Sequence, residues 1–79
     1  MGKIDKLLEK MKTNPAGWTI SDLYRVAGQY GVVYREGKGS HVVFNFGYVV
    51  LTVPSKRPIK PIYVKKFVAL IEDQGNKYD

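Results

Sequence analysis

The sequence predicts an α+β domain in which two helices, a three-stranded antiparallel meander and a closing helix follow in that order, with the helices packed on one face of the sheet. Three observations carry this expectation. Apolar residues recur at helical spacing as far as Ala27. The period changes to two after Gly31. A helical stripe returns behind Pro61.

Each element has a local reason. Ile4, Leu7, Leu8 and Met11 lie at i, i+3, i+4 and i+7, so residues 3–12 form one amphipathic turn after another. Thr13-Asn14-Pro15 ends that helix, because the residue before proline avoids helical backbone and the ring removes a donor. Thr19 and Asp22 have the spacing of a capping box, so a second helix starts near Thr19 and shows Ile20, Leu23, Tyr24 and Ala27 on one face. Gly31 stands where a helix-ending glycine belongs. Residues 32–36 then read as a strand, Gly37-Lys38-Gly39 as a turn, and residues 41–46 as a second strand. Alternation puts Val42, Phe44 and Phe46 toward the core and His41, Val43 and Asn45 on the other face. Gly47 turns the chain into a third strand over residues 48–53, stopped by Pro54. Residues 55–60 read as a polar, cationic loop. Pro61 suits the first position of a last helix, whose buried stripe is Val64, Phe67, Val68 and Ile71, with fraying expected from Gln74.

With 79 residues the chain is read as one domain, 1–79, and 44% hydrophobic content is too high for a disordered tail. There is no cysteine, which removes thiolate nucleophiles, disulfides and Cys-based zinc sites. No apolar run reaches the length of a membrane span, and residues near Met1 lack a signal-peptide core. The Met1-Gly2 start lacks the Ser or Thr that myristoylation wants, because Lys6 sits there. A soluble, cytoplasmic protein without a membrane partner is the expectation.

Charge is distributed unevenly. The net charge is +6, yet no Asp or Glu occurs between Gly37 and Ile71. That stretch holds Lys38, Lys56, Arg57, Lys60, Lys65 and Lys66, whereas the remaining cations are balanced by the acids. The excess therefore sits in one continuous half of the chain, and phosphate-bearing partners or an acidic protein gain most from it.

Candidates for chemistry are few. His41 is the sole histidine. Ser40 precedes it, but strand neighbours point to opposite faces, so a Ser–His pair is badly placed. The half containing His41 offers no carboxylates for a metal cluster, so no metal or cofactor is expected. The glycines around Lys38 do not match a Walker A loop, and Gly37-Lys38-Gly39-Ser40 reads first as a hairpin turn and second as a phosphate contact through backbone N–H groups. Histidine moves protons near neutral pH, and RNA supplies its own nucleophile, the ribose 2′-hydroxyl. Lys38, Lys56, Arg57 and Lys60 are candidates to hold phosphate and developing charge, with Lys65 and Lys66 extending the track. Trp18, Tyr24, Phe44, Phe46 and Phe67 fall at buried positions; Tyr34, Tyr48 and Tyr63 are left to pack at the edge or to stack on bases.

Several of these residues together resemble a known family. Gly39-Ser40-His41-Val42-Val43-Phe44 is similar to the Gly-Ser-His-x-x-Phe signature of HicA toxins. Leu51-Thr52-Val53-Pro54 and Ile59-Lys60-Pro61 follow in that family's order, and Asp22-Leu23-Tyr24-Arg25 with Gly31 resembles its first helix and exit. The resemblance spans roughly residues 20–72. It implies a fold like a double-stranded-RNA-binding domain, cleavage of mRNA, growth arrest, and neutralisation by a cognate HicB-like antitoxin. It places the family histidine at His41 and the family Lys-Pro helix start at Lys60 and Pro61. Two features depart from it: the extra helix over residues 3–12, and Val42, where many members carry a second histidine. Two other readings stand beside it. One is a non-catalytic RNA-binding domain. The other is a module that presents its basic face to DNA or to an acidic protein.

Overall fold

A computed structural model describes residues 3–76, with side chains described for residues 6–74. Helix α1 spans Lys3–Thr13, α2 Ile20–Gln29 and α3 Pro61–Asn76. Strands β1 (Val33–Glu36), β2 (His41–Asn45) and β3 (Val50–Pro54) form one antiparallel sheet in the order β1-β2-β3. The expected α-α-β-β-β-α order is therefore the observed one.

The core lies between the helices and one face of this sheet. Alternation along β2 buries Val42 and Phe44 and leaves His41 and Asn45 exposed. Val42 pairs with Val53, which is also buried, and Phe44 with Leu51, which is partly so. Across the layer, α3 presents Val64, Phe67, Val68 and Ile71, all buried, as its spacing requires. Phe44 meets Phe67 edge-on, with centroids 5.0 Å apart and planes at 65°. Removing a ring of this size from a fully buried site typically costs about 3–5 kcal/mol. Met11 of α1, Leu23, Val26 and Ala27 of α2, and Val32, Phe46 and Ile59 belong to the same cluster, with Leu7 and Leu8 at its margin. The side chain of Ile4, assigned to the same stripe, lies outside the described ones. The opposite face of the sheet, which includes Val33, Asn45, Val50 and Thr52, is open to solvent.

Helix α2 starts as its sequence dictates. The Asp22 carboxylate accepts hydrogen bonds from the Thr19 backbone N–H at 2.9 Å and from the Thr19 hydroxyl at 3.1 Å. At its end, Gly31 takes φ +71°, and Val32 N–H returns to the Ala27 carbonyl at 2.8 Å. That bond holds Val32 in the helix exit and the core, so β1 begins at Val33 rather than Val32.

Other boundaries also shift for visible reasons. Tyr48 and Val49 belong to the β2–β3 turn: Phe46 N–H bonds the Val49 carbonyl, and Gly47 N–H bonds the Asn45 side chain. The third strand accordingly starts at Val50. Helix α3 does not fray at Gln74 but runs to Asn76, because the Gln74 side chain donates to the Tyr30 carbonyl at 2.8 Å. The loop before α3 is not wholly polar. Ile59 is buried, and its N–H bonds the Trp18 carbonyl, which ties the loop to the approach to α2. Trp18 is half-buried, with its indole N–H donating to Asn14 O at 2.6 Å. Between α1 and α3, Lys12 and Glu72 pair at 3.0 Å on the surface.

Candidate active site

The β1–β2 hairpin positions His41. Glu36 faces Val42 in the register, and Gly37 N–H donates to the His41 carbonyl at 2.8 Å, closing the turn over residues 37–40. Gly39 adopts φ +68°, a region that costs side-chain-bearing residues energy. A β-carbon on Gly39 would lie 4.0 Å from the His41 Nδ1, so the imidazole rests against this glycine.

His41 is exposed, and its Nδ1 lies 3.3 Å from the Lys38 carbonyl oxygen. A carbonyl only accepts, so this contact fits the tautomer with its hydrogen on Nδ1 and leaves Nε2 as the second polar atom of the ring. Pro54 of β3 stands opposite His41 in the ladder. Just beyond it, Ser55 N–H donates to the Ser40 carbonyl at 2.7 Å, which pins the start of the β3–α3 loop to the hairpin turn.

These ties create a cleft of about 370 Å³. Gly39, Ser40, His41 and Val42 border it from the hairpin, Ser55 and Arg57 from the loop, Glu36 from β1, and Ile20 and Tyr24 from α2. Of the residues selected from sequence, Gly39, Ser40, His41 and Arg57 are thus brought together, and Lys38 adjoins them through its carbonyl. Lys56, Lys60, Lys65 and Lys66 are exposed but do not border the cleft. Lys60 sits at the start of α3, its carbonyl accepting from Tyr63 and Val64 N–H. Lys65 and Lys66 project from the outer side of that helix.

Sequence reasoning missed Glu36, Tyr24 and Ser55. Glu36 had a usable signal: folding the hairpin about Lys38 sets the residue before the turn beside the residues after it. Tyr24 is held by a parallel stack on Tyr34, with centroids 4.3 Å apart and planes at 12°. Burial first, then the Glu36 carboxylate and Tyr34, push the Tyr24 phenol above its usual value. Tyr34 is exposed, but one ring face is already occupied by Tyr24. The Tyr48 hydroxyl donates to the Leu70 carbonyl, and Tyr63 packs against the core, so both have packing roles.

A second concavity, of about 400 Å³, lies between the end of α1 and Trp18 and has no imidazole on its wall. Among the described residues, no three His, Cys, Asp or Glu side chains gather as a ligand set for a metal. No helix among them is long and apolar enough to cross a membrane.

Fold and site together define a small basic α+β domain with an imidazole, a carboxylate, a phenol and a guanidinium around one cleft at the sheet's end. Compared with known proteins, the chain matches no family model, no curated protein and no solved structure.

Proposed function

We propose that this protein is an endoribonuclease of the kind its motifs resemble, a HicA-like toxin that cuts mRNA without a metal and is neutralised by a cognate HicB-like antitoxin. The observation that carries the reading is the setting of His41: an exposed imidazole against a glycine turn, at a cleft that Arg57 also borders.

The chemistry follows from the substrate. RNA has a hydroxyl on the carbon next to the one that carries the phosphodiester, so proton-transfer groups suffice for cleavage, and no metal-bound water is required. His41 is one such group, acting as general acid or base from Nε2. Arg57 and Lys38 offset the negative charge that develops on the phosphoryl oxygens. The Gly39-Ser40 turn lets a phosphate approach the backbone closely. Lys56, Lys60, Lys65 and Lys66 draw the strand in and hold its flanking phosphates.

The test is incubation of wild-type and His41→Ala protein with a defined RNA, with and without EDTA, and identification of the fragment ends. Wild type yields new ends in both conditions, and His41→Ala yields none while still binding. Cleavage by His41→Ala at the normal rate rejects the mechanism. Loss of wild-type cleavage in EDTA reinstates a metal. Binding without any new ends assigns the fold to a non-catalytic RNA-binding domain.

A further inference from the structure

Cleavage through the 2′-hydroxyl needs two proton transfers, one from the attacking oxygen and one to the leaving oxygen. His41 accounts for one of them. The titratable or charged side chains bordering the cleft are Tyr24 from α2, Glu36 from β1, His41 from β2 and Arg57 from the loop before α3. We infer that Glu36 is the second catalytic residue, the general base that takes the 2′-hydroxyl proton, and that His41 is the acid. This assignment rests on the ribonuclease reading and deepens it.

Elimination and geometry both lead to Glu36. A guanidinium has donors and no acceptor, so Arg57 cannot take the proton. Tyr24 holds its phenol proton more firmly than an ordinary tyrosine, because burial and the neighbouring carboxylate disfavour the phenolate. A carboxylate remains as the acceptor. Placement adds a second argument. By register Glu36 shares the helix-side face with Val42, whereas His41 leaves the strand on the opposite face. In-line displacement puts the attacking and leaving oxygens on opposite sides of phosphorus. A base and an acid that flank one space from opposite sides of a hairpin meet that demand. The Lys38 carbonyl beside Nδ1 accepts a hydrogen from the ring, which orients the imidazole and leaves Nε2–H as the donor.

The step balances. The 2′-hydroxyl proton passes to the Glu36 carboxylate as the 2′-oxygen bonds to phosphorus. The bond from phosphorus to the 5′-oxygen breaks, and that oxygen takes the proton from His41 Nε2. The products are a 2′,3′-cyclic phosphate and a 5′-hydroxyl. Glu36 and His41 then exchange their protons with water.

Two substrates separate the roles. One is a defined RNA, whose 5′-oxygen is a poor leaving group; the other is uridine 3′-(4-nitrophenyl) phosphate, whose leaving group departs without protonation. Wild type, Glu36→Gln, Glu36→Asp and His41→Ala are compared on both, with circular dichroism confirming the fold of each. Glu36→Gln is expected to lose about 10²–10⁴-fold in kcat on both substrates with little change in KM. Glu36→Asp is expected to recover part of that loss. His41→Ala is expected to fail on RNA but to turn over the nitrophenyl ester at close to the wild-type rate. Wild-type rates in Glu36→Gln, while His41→Ala is dead on RNA, overturn the Glu36 assignment and leave the ribonuclease reading standing. Rescue of Glu36→Gln instead of His41→Ala by the nitrophenyl ester reverses the roles and also overturns it. A wild-type protein that cuts neither substrate overturns both readings.

Discussion

Tyr24 and Tyr34 lie face to face, 4.3 Å between ring centres and 12° from parallel, and so fasten α2 to β1 beside the cleft. Offset aromatic pairs contribute about 0.5–1.5 kcal/mol beyond their burial. Tyr34 is 41% exposed, so its replacement opens no closed cavity. Tyr34→Ala is expected to lower unfolding stability by about 1 kcal/mol in urea. A double-mutant cycle with Tyr24→Leu should return a coupling of about 0.5–1.5 kcal/mol; additive single effects would contradict the stack.

Gly39 and Gly37 bracket Lys38 but differ in backbone. Gly39 has φ +68°, whereas Gly37 is outside the left-handed region, and a β-carbon there would meet the His41 carbonyl at 3.7 Å and Val43 Cγ2 at 3.8 Å, ordinary contacts. Gly39→Ala is therefore expected to cost about 1–2 kcal/mol, and Gly37→Ala much less. Thermal melts of the two variants decide the matter, and equal losses would argue against the turn geometry.

The exposed lysines make a prediction about salt. Each phosphate a cation neutralises on a single strand steepens the salt dependence of binding by about 0.7 in log–log slope. Lys56→Gln and Lys60→Gln should each weaken RNA binding and flatten that slope by about this amount. Lys12, which is paired with Glu72 at 3.0 Å, serves as the control. Titrations of binding against salt concentration give the answer, and slopes unchanged in Lys56→Gln and Lys60→Gln would remove both from the interface.

Tyr24 also links the site to alkaline pH. Its phenol is held above the usual value of 10.0, so the folded chain retains a proton that the unfolded chain gives up. The associated stability is whole below that ordinary value and is lost as pH rises through the elevated one. Removing the Glu36 charge eliminates one cause and leaves burial, the larger one, in place. Glu36→Gln is expected to lower the ionisation pH of Tyr24 without returning it to 10.0. Ultraviolet titration of tyrosinate, with Tyr24→Phe to identify the signal, measures this; an unshifted curve would separate Glu36 from Tyr24.

Much of this architecture is legible before folding. Val64, Phe67, Val68 and Ile71 keep an unbroken helical period, and all are buried because nothing competes with that stripe for the sheet. Val42 and Phe44 are as plain, since a strand with one wet face forces alternation. His41 is legible as a site residue by type and by its glycine neighbours. Glu36 is not. It reads as the edge of a basic segment until the register sets it across from Val42. Ile59 and Gln74 are missed for a related reason. The partners that order them, the backbone of Trp18 and Tyr30, come from distant parts of the chain, and local pattern carries no trace of such bonds.

The edge-on meeting of Phe44 with Phe67 has a consequence during synthesis. A nascent chain that has emerged only through β3 still lacks the helix whose Phe67 meets Phe44. Until residues through Ile71 follow, Phe44 lacks the ring that meets it edge-on and the core lacks its α3 stripe. Translation order thus makes α3 the element on which closure of this core waits.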